Sequence, residues 1–152
     1  MSKVFYVPGQ TSIIDYAREI VAKDPMASFL GIRLEEVRRA YCRLSVEIRP
    51  EYLNAHRRAH GMILSSMIDQ AAAVAANSMG DDVLLVELKI NYLAAAAPGE
   101  IVTAEARPVD IKKALSLWAV DVRSASGTLV ATGQALGYHR PREKKEAKTS
   151  GR

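Results

Sequence analysis

Two spacings of apolar and polar positions alternate along this chain, and each switch between them marks an element. Ser12 to Lys23 (SIIDYAREIVAK) sets Ile13, Ala17, Ile20 and Val21 at helical spacing behind Ser12 and Asp15, a capping-box-like pair. That spacing predicts a short amphipathic helix, with Pro25 ending it. From Phe29 to Arg49 the period becomes two. Cys42, Leu44, Val46 and Ile48 alternate with Arg43, Ser45, Glu47 and Arg49, which predicts a half-buried strand with a partner before it. Pro50 to Ala59 is polar and irregular.

Gly61 opens a long Ala-rich segment reaching Met79 with apolar residues on every side, so the pattern predicts an enclosed helix. After Gly80-Asp81-Asp82 the period returns to two: Val86, Leu88, Ile90 and Tyr92 alternate with Glu87, Lys89 and Asn91 as far as Leu93, before a Pro98-Gly99 turn. Ile101–Ala106, Ala114–Val122 and Thr128–Tyr138 are further strand-like runs, the last two separated by a Ser126-Gly127 turn. One long helix among strands at short turn spacing implies an α+β domain with an antiparallel sheet. A helix apolar all round requires the sheet to curl about it. One sheet of this size covers only part of a helix, so a second copy is expected over the remainder, most simply through a twofold axis.

Composition narrows the picture without changing it. The 152 residues are 49% hydrophobic and 25% charged, the balance of one soluble globular domain. The formal charge of +4 lies at one end: residues 140–152 hold six Lys or Arg and two Glu, which leaves the body neutral. That segment has no large apolar residue to offset its ordering entropy, so the expected organisation is a domain over 1–139 and a disordered basic tail over 140–152, solubilising rather than a nucleic-acid arm. Aromatic content of 6% disfavours base-stacking platforms. The single cysteine, Cys42, excludes an internal disulfide framework and any multi-cysteine metal site, and suits a reducing cytoplasm. MSKVFYVPGQ does not read as a secretory leader, and the 61–79 run carries Asp69, Gln70, Asn77 and three serines, which fits a core helix better than a membrane span.

Asp69 is the only charged residue between His60 and Gly80. Taking an unpaired carboxylate out of water is costly, so it must be paired, protonated or set beside a pocket. Ser65, Ser66 and Ala73 share its face, with Met62 two turns back. A serine hydroxyl that merely satisfies the carboxylate and a catalytic role are equally open on this ground. Upstream, Asn54, His56 and His60 lie in the loop feeding the helix, and Gly61 stands in its first turn, where free backbone N–H groups bind anions or oxyanions. A loop-capping Asn54 and a structural His60 are the plainer alternatives, and His56 beside Arg57 and Arg58 reads as solvated. Zinc spacings, a phosphate loop, a GxSxG elbow and CxxC are all missing, and neither Ser65 nor Ser66 has a base indicated in sequence.

Asn54, His60-Gly61 six residues on, Asp69 nine after His60 and Asn77 eight after Asp69, within NAHRRAHGMILSSMIDQAAAVAANS, resemble the hotdog-fold acyl-CoA thioesterases, above all their PaaI-like branch of phenylacetic acid degradation. The likeness extends through FLGIRLEEV, LKINYLAAAAPGE and GTLVATGQALGYHR. It implies a sheet wrapped round the central helix, two subunits joining their sheets, active sites at the interface, and dimers or homotetramers acting on acyl-CoA without metal or other cofactor. Gly61 would polarise the thioester carbonyl. Asp69 of the other subunit would attack it or activate water, and Asn54 and His60 would orient the reacting groups. Met62, Ser66 and Arg57 are the expected substrate-binding residues. Met62 and Arg57 stand where the family has glycine; Met62 would reshape the acyl pocket, and Arg57 would reach a CoA phosphate or point to water. Ala94-Ala95 replaces the Arg-Pro common in relatives.

Overall fold

The computed structural model describes residues 12–140, so the first residues and the rest of the basic tail lie outside the described residues. Arg140, assigned to that tail by its charge, instead closes the last strand and ion-pairs with Asp82.

The predicted N-terminal helix is shorter than its pattern. Ser12 Oγ accepts the Asp15 N–H at 3.0 Å and opens α1 (Ile13–Tyr16), which widens at once into a π-helical turn, Ala17–Val21. The Val21 carbonyl is taken by Gln70 Nε2 at 2.7 Å, which ties this turn to the long helix. Pro25 does not simply stop the chain. It is the first residue of α2 (Pro25–Leu30), capped by Asp24, whose Oδ1 accepts the Ala27 N–H at 2.8 Å, and ended by Gly31 in the left-handed region at φ 66°. Phe29 and Leu30 therefore belong to a helix, and period two begins with β1 (Arg33–Arg38).

β1 pairs with β2 (Tyr41–Glu47), the partner strand expected. Cys42, Leu44, Val46 and Ile48 are fully buried. The long helix α3 spans Gly61–Asn77, followed by β3 (Asp82–Tyr92), β4 (Ile101–Ile111), β5 (Leu115–Ser124) and β6 (Leu129–Arg140). β4 runs past the predicted end at Ala106, with a bulge against β5 between Pro108 and Asp110, the kind of place where a strand tolerates proline. All pairings are antiparallel, in the order β1-β2-β4-β5-β6-β3, which leaves β1 and β3 as edges. A bulge between Leu85 and Glu87 lets odd-numbered Val83 and Leu85 and even-numbered Leu88 and Ile90 all pack on the core. Val86 at the bulge is 59% exposed, so it leaves the alternation read from sequence.

The sheet curls about α3, whose Ile63, Leu64, Met67, Ile68, Ala71, Ala72, Val74, Ala75 and Ala76 are buried. Small residues on both sides, among them Ala104, Ala106, Ala131 and Ala135, allow the close approach. At Gly133 an added Cβ would stand 2.9 Å from Ile68 Cγ2 and from the Lys89 carbonyl, so the helix rests there on bare backbone. Asn77 locks the far end, donating from Nδ2 to the Val83 carbonyl at 3.0 Å and accepting the Val83 N–H at 3.2 Å. The enclosure is not complete: Met62 and Asp69 lie on a stripe left open to solvent. Among the described residues no helix is long and apolar enough to cross a membrane, and no cluster of His, Cys, Asp and Glu is arranged to hold a metal ion.

Candidate active site

The entrance to α3 is built by the loop before it. A bridge between Leu53 and Ala59 closes the loop, and the Asn54 N–H donates to the Arg58 carbonyl at 2.8 Å. Asn54 Oδ1 accepts the N–H groups of His56 at 2.9 Å and Arg58 at 3.1 Å, so this oxygen does the loop-capping work. Arg57 sits at φ 58°, the left-handed region that favours glycine, which accounts for the glycine expected there from the family pattern. His56 and Arg57 both face solvent. The His60 N–H then donates to the Tyr52 carbonyl at 2.7 Å, and the Ala59 N–H to Ala96 at 2.9 Å, which fixes the helix start.

His60 is the N-cap residue. Its Nδ1 accepts the Met62 N–H at 3.0 Å, so a neutral ring carries its proton on Nε2. Its carbonyl accepts the Ile63 N–H at 3.1 Å. The Gly61 N–H has no acceptor among the described residues, and it lies at the positive end of a 17-residue helix. An oxyanion placed there would meet a free donor and a favourable dipole together.

Asp69 departs from expectation in one respect: within a single protomer it is exposed rather than buried. Neither serine pairs with it. Ser65 Oγ donates to the Gly61 carbonyl at 2.7 Å and Ser66 Oγ to the Met62 carbonyl at 2.8 Å, each bonding back one helical turn. The carboxylate has no hydrogen-bond partner among the described residues. Enough protein surrounds it for burial to raise its pKa from the ordinary carboxylate value, and the negative charge of Asp24 adds to that shift.

The two principal groups do not meet within one chain. Gly61 and Asp69 are eight residues apart on one helix, about 12 Å along its axis at 1.5 Å per residue. Met62, 70% exposed, and Ser66 lie between them on the open stripe. Tyr92, at the end of edge strand β3, was not a sequence candidate beyond its place in the alternation. Its hydroxyl lies 2.6 Å from Ser65 Oγ and 3.3 Å from the Gly61 carbonyl, and no local pattern could join positions so far apart in the chain.

A second polar cluster also escaped the sequence. His139 places Nδ1 2.8 Å from Asp81 Oδ2 and Nε2 2.8 Å from Ser116 Oγ, and Trp118 Nε1 donates to the same hydroxyl at 2.7 Å. The order is that of a hydrolytic triad, but Ser116 is only 1% exposed and no substrate carbonyl reaches it. This cluster binds β5, β6 and the start of β3 together.

A family profile described as the thioesterase superfamily matches residues 56–131, half of the chain. A relative from Archaeoglobus fulgidus named "Putative esterase" is 28% identical over 130 residues, 85% of this chain and 84% of that protein. Among solved structures, the PaaI protein of the E. coli phenylacetic acid degradation operon superposes with a TM-score of 0.81 at 22% identity, over 85% of this chain and 94% of that one. A hypothetical thioesterase of Streptococcus pneumoniae TIGR4, solved with coenzyme A, superposes with a TM-score of 0.75 at 21% identity, over 80% of this chain and 95% of that one. The curled antiparallel sheet around one helix is the hotdog fold expected from the sequence.

Proposed function

Because this chain belongs to the thioesterase superfamily and is a thioester hydrolase on the hotdog fold, we propose that its substrate is an aryl or medium-chain acyl-CoA, hydrolysed to the free acid and CoA. The working unit is a homodimer, or a pair of dimers, with each site shared between two copies. The observation that carries this reading is that, among the described residues, the Gly61 N–H at the helix start is unspent and lies about 12 Å along the same helix from an unpaired Asp69. No rigid helix folds back on itself over eight residues, so a second copy must supply the carboxylate. β3, an edge strand alongside α3, is the natural seam.

In that arrangement the thioester oxygen binds the Gly61 N–H, where charge develops as the carbonyl carbon becomes tetrahedral. The partner subunit's Asp69 either attacks that carbon or removes a proton from the attacking water. The C–S bond breaks and the thiolate leaves and is protonated as CoA; where water attacked, the acid is released directly, and where Asp69 attacked, water then hydrolyses the mixed anhydride to the acid and free Asp69. Met62 lines the acyl side, and Ser66 lies on the same stripe. Arg57 at the loop tip faces the phosphates, Asn54 holds that tip, and His60 caps the helix with its Nε2–H free to orient water or thioester. The chemistry assigned to these residues needs no metal. Its proposed location is the cytoplasm, where Cys42, buried and with its thiol pKa pushed up by that burial, stays reduced.

Thiol release from a panel of aryl and aliphatic acyl-CoA substrates tests the reading. Turnover should fall by about 10²-fold or more in Asp69→Asn, the range seen when one reacting group is removed. Binding without turnover, unchanged in that variant, would overturn it.

A further inference from the structure

We propose that Tyr92 is a positioning residue of the hydrolytic reaction, acting with Ser65 to hold the Gly61–Met62 peptide, the neighbour of the His60–Gly61 peptide whose N–H faces the thioester oxygen. The inference rests on the acyl-CoA reading above and adds to it two residues from different elements. Glycine is the most conformationally free residue, and at the first position of a helix it has no side chain to anchor it. An N–H that is to stabilise a transition state must nonetheless be aimed before substrate arrives.

The structure supplies the anchors. Ser65 Oγ donates to the Gly61 carbonyl at 2.7 Å, and the Tyr92 phenol reaches Ser65 Oγ at 2.6 Å and the same carbonyl at 3.3 Å. With the Ser65 proton committed to the carbonyl, the phenol is the donor to Ser65, and the relay runs Tyr92 to Ser65 to Gly61. On the opposite side of that peptide, the Met62 N–H is held by His60 Nδ1 at 3.0 Å. A planar peptide gripped at both its oxygen and its N–H fixes ψ of Gly61. The preceding peptide, which carries the Gly61 N–H itself, is held by the Ile63 N–H on the His60 carbonyl at 3.1 Å, so with both flanking peptides held Gly61 keeps one backbone conformation.

The ring itself depends on glycine: an added Cβ at Gly61 would stand 3.0 Å from Tyr92 Cζ and 3.1 Å from its oxygen. Tyr92 is 54% exposed, so water satisfies its hydroxyl as readily in the unfolded chain as in the folded one. The phenol therefore contributes little to folding, and its placement on the Gly61–Met62 peptide, which together with the His60–Gly61 peptide fixes the backbone of Gly61, is what gives it a role.

Tyr92→Phe keeps the ring and removes the relay. The expected result is a fall in kcat of about tenfold, a tenth or less of the loss from deleting an oxyanion donor outright, with KM for acyl-CoA within about twofold. The melting temperature stays at the wild-type value. Ser65→Ala should lower kcat to a similar degree, and the double variant no further, because the two hydroxyls act as one unit. A kcat within about twofold of wild type in Tyr92→Phe overturns the proposal, as does a raised KM with kcat intact, which would make the ring only a wall of the pocket. The Gly61 amide resonance of the free protein gives a readout independent of turnover. It moves in Tyr92→Phe if the relay sets that amide, and an unmoved resonance overturns the proposal. If wild type releases no thiol from any acyl-CoA, the substrate assignment fails by itself while the resonance still decides the role of Tyr92.

Discussion

Ser116→Ala removes one oxygen from the protein and strands two buried partners. Trp118 is 0% exposed, Ser116 1% and His139 6%, and the serine hydroxyl is both the acceptor for the indole N–H and the partner of the imidazole Nε2. The void left by one oxygen is too small for a replacement water. Each orphaned group forfeits about 1–3 kcal/mol of desolvation, so the expected loss for the two is roughly 2–6 kcal/mol. At about 2–4 °C per kcal/mol for a chain of this length, the melting temperature should fall by roughly 4–24 °C. Urea unfolding and thermal melts at one fixed protein concentration measure it, since any assembly would make both depend on concentration. Trp118→Phe supplies the control: it deletes the indole donor, so the double variant should cost less than the sum of the two. A Ser116→Ala protein within about 0.5 kcal/mol of wild type, the range of an ordinary surface change, would refute the assignment of this cluster as a structural clamp.

Four further outcomes follow from the site. On the proposed reading Asp69 works as a carboxylate, and its pKa is raised from the ordinary value by burial first and Asp24 second, so activity should be lost as pH falls through that raised pKa, and Asp24→Asn should move that limb to lower pH in a rate profile. The same shift means that ionised Asp69 is disfavoured in the fold, with stability present below its unfolded pKa and lost as pH rises through the folded one; Asp69→Asn should therefore melt slightly higher at neutral pH, by less than about 1 kcal/mol for so exposed a group, with the difference gone in acid. Arg57→Gly relieves a left-handed backbone at φ 58° and should stabilise by about 1 kcal/mol, a rise of roughly 2–4 °C in the melting temperature. Met62→Gly opens the stripe beside Gly61, and kcat/KM across an acyl-CoA panel should shift toward bulkier acyl groups.

The long helix, its lone carboxylate and the strand alternation around Cys42–Ile48 were legible because each repeats one period over many residues. The six-residue helix at Pro25 was missed although its signals, an Asp cap, Pro at the first position and Gly at the end, are all present. Pro25 was read as a stop when it was also a start. The bulge at Leu85/Glu87 hid the register of β3, since one extra residue exchanges the faces of everything after it. Gly61, His60 and Asn54 were placed correctly at the helix entrance, because their signal is local. Tyr92 and the Ser116–His139–Asp81 cluster join residues brought together only by sheet pairing, which no local window contains. The exposure of Asp69 was misjudged for a related reason: a stripe that one chain leaves open reads, in composition, like core.

The separation of Gly61 and Asp69 on a single rod has a genetic consequence. On the shared-site reading, a chain damaged at Asp69 and another damaged at Gly61 are each inactive when paired with themselves. Mixed together, they form some dimers in which both lesions fall in one site and the other site is whole. Two dead alleles expressed in the same cell would thus complement each other, giving mixed dimers with one sound site out of two.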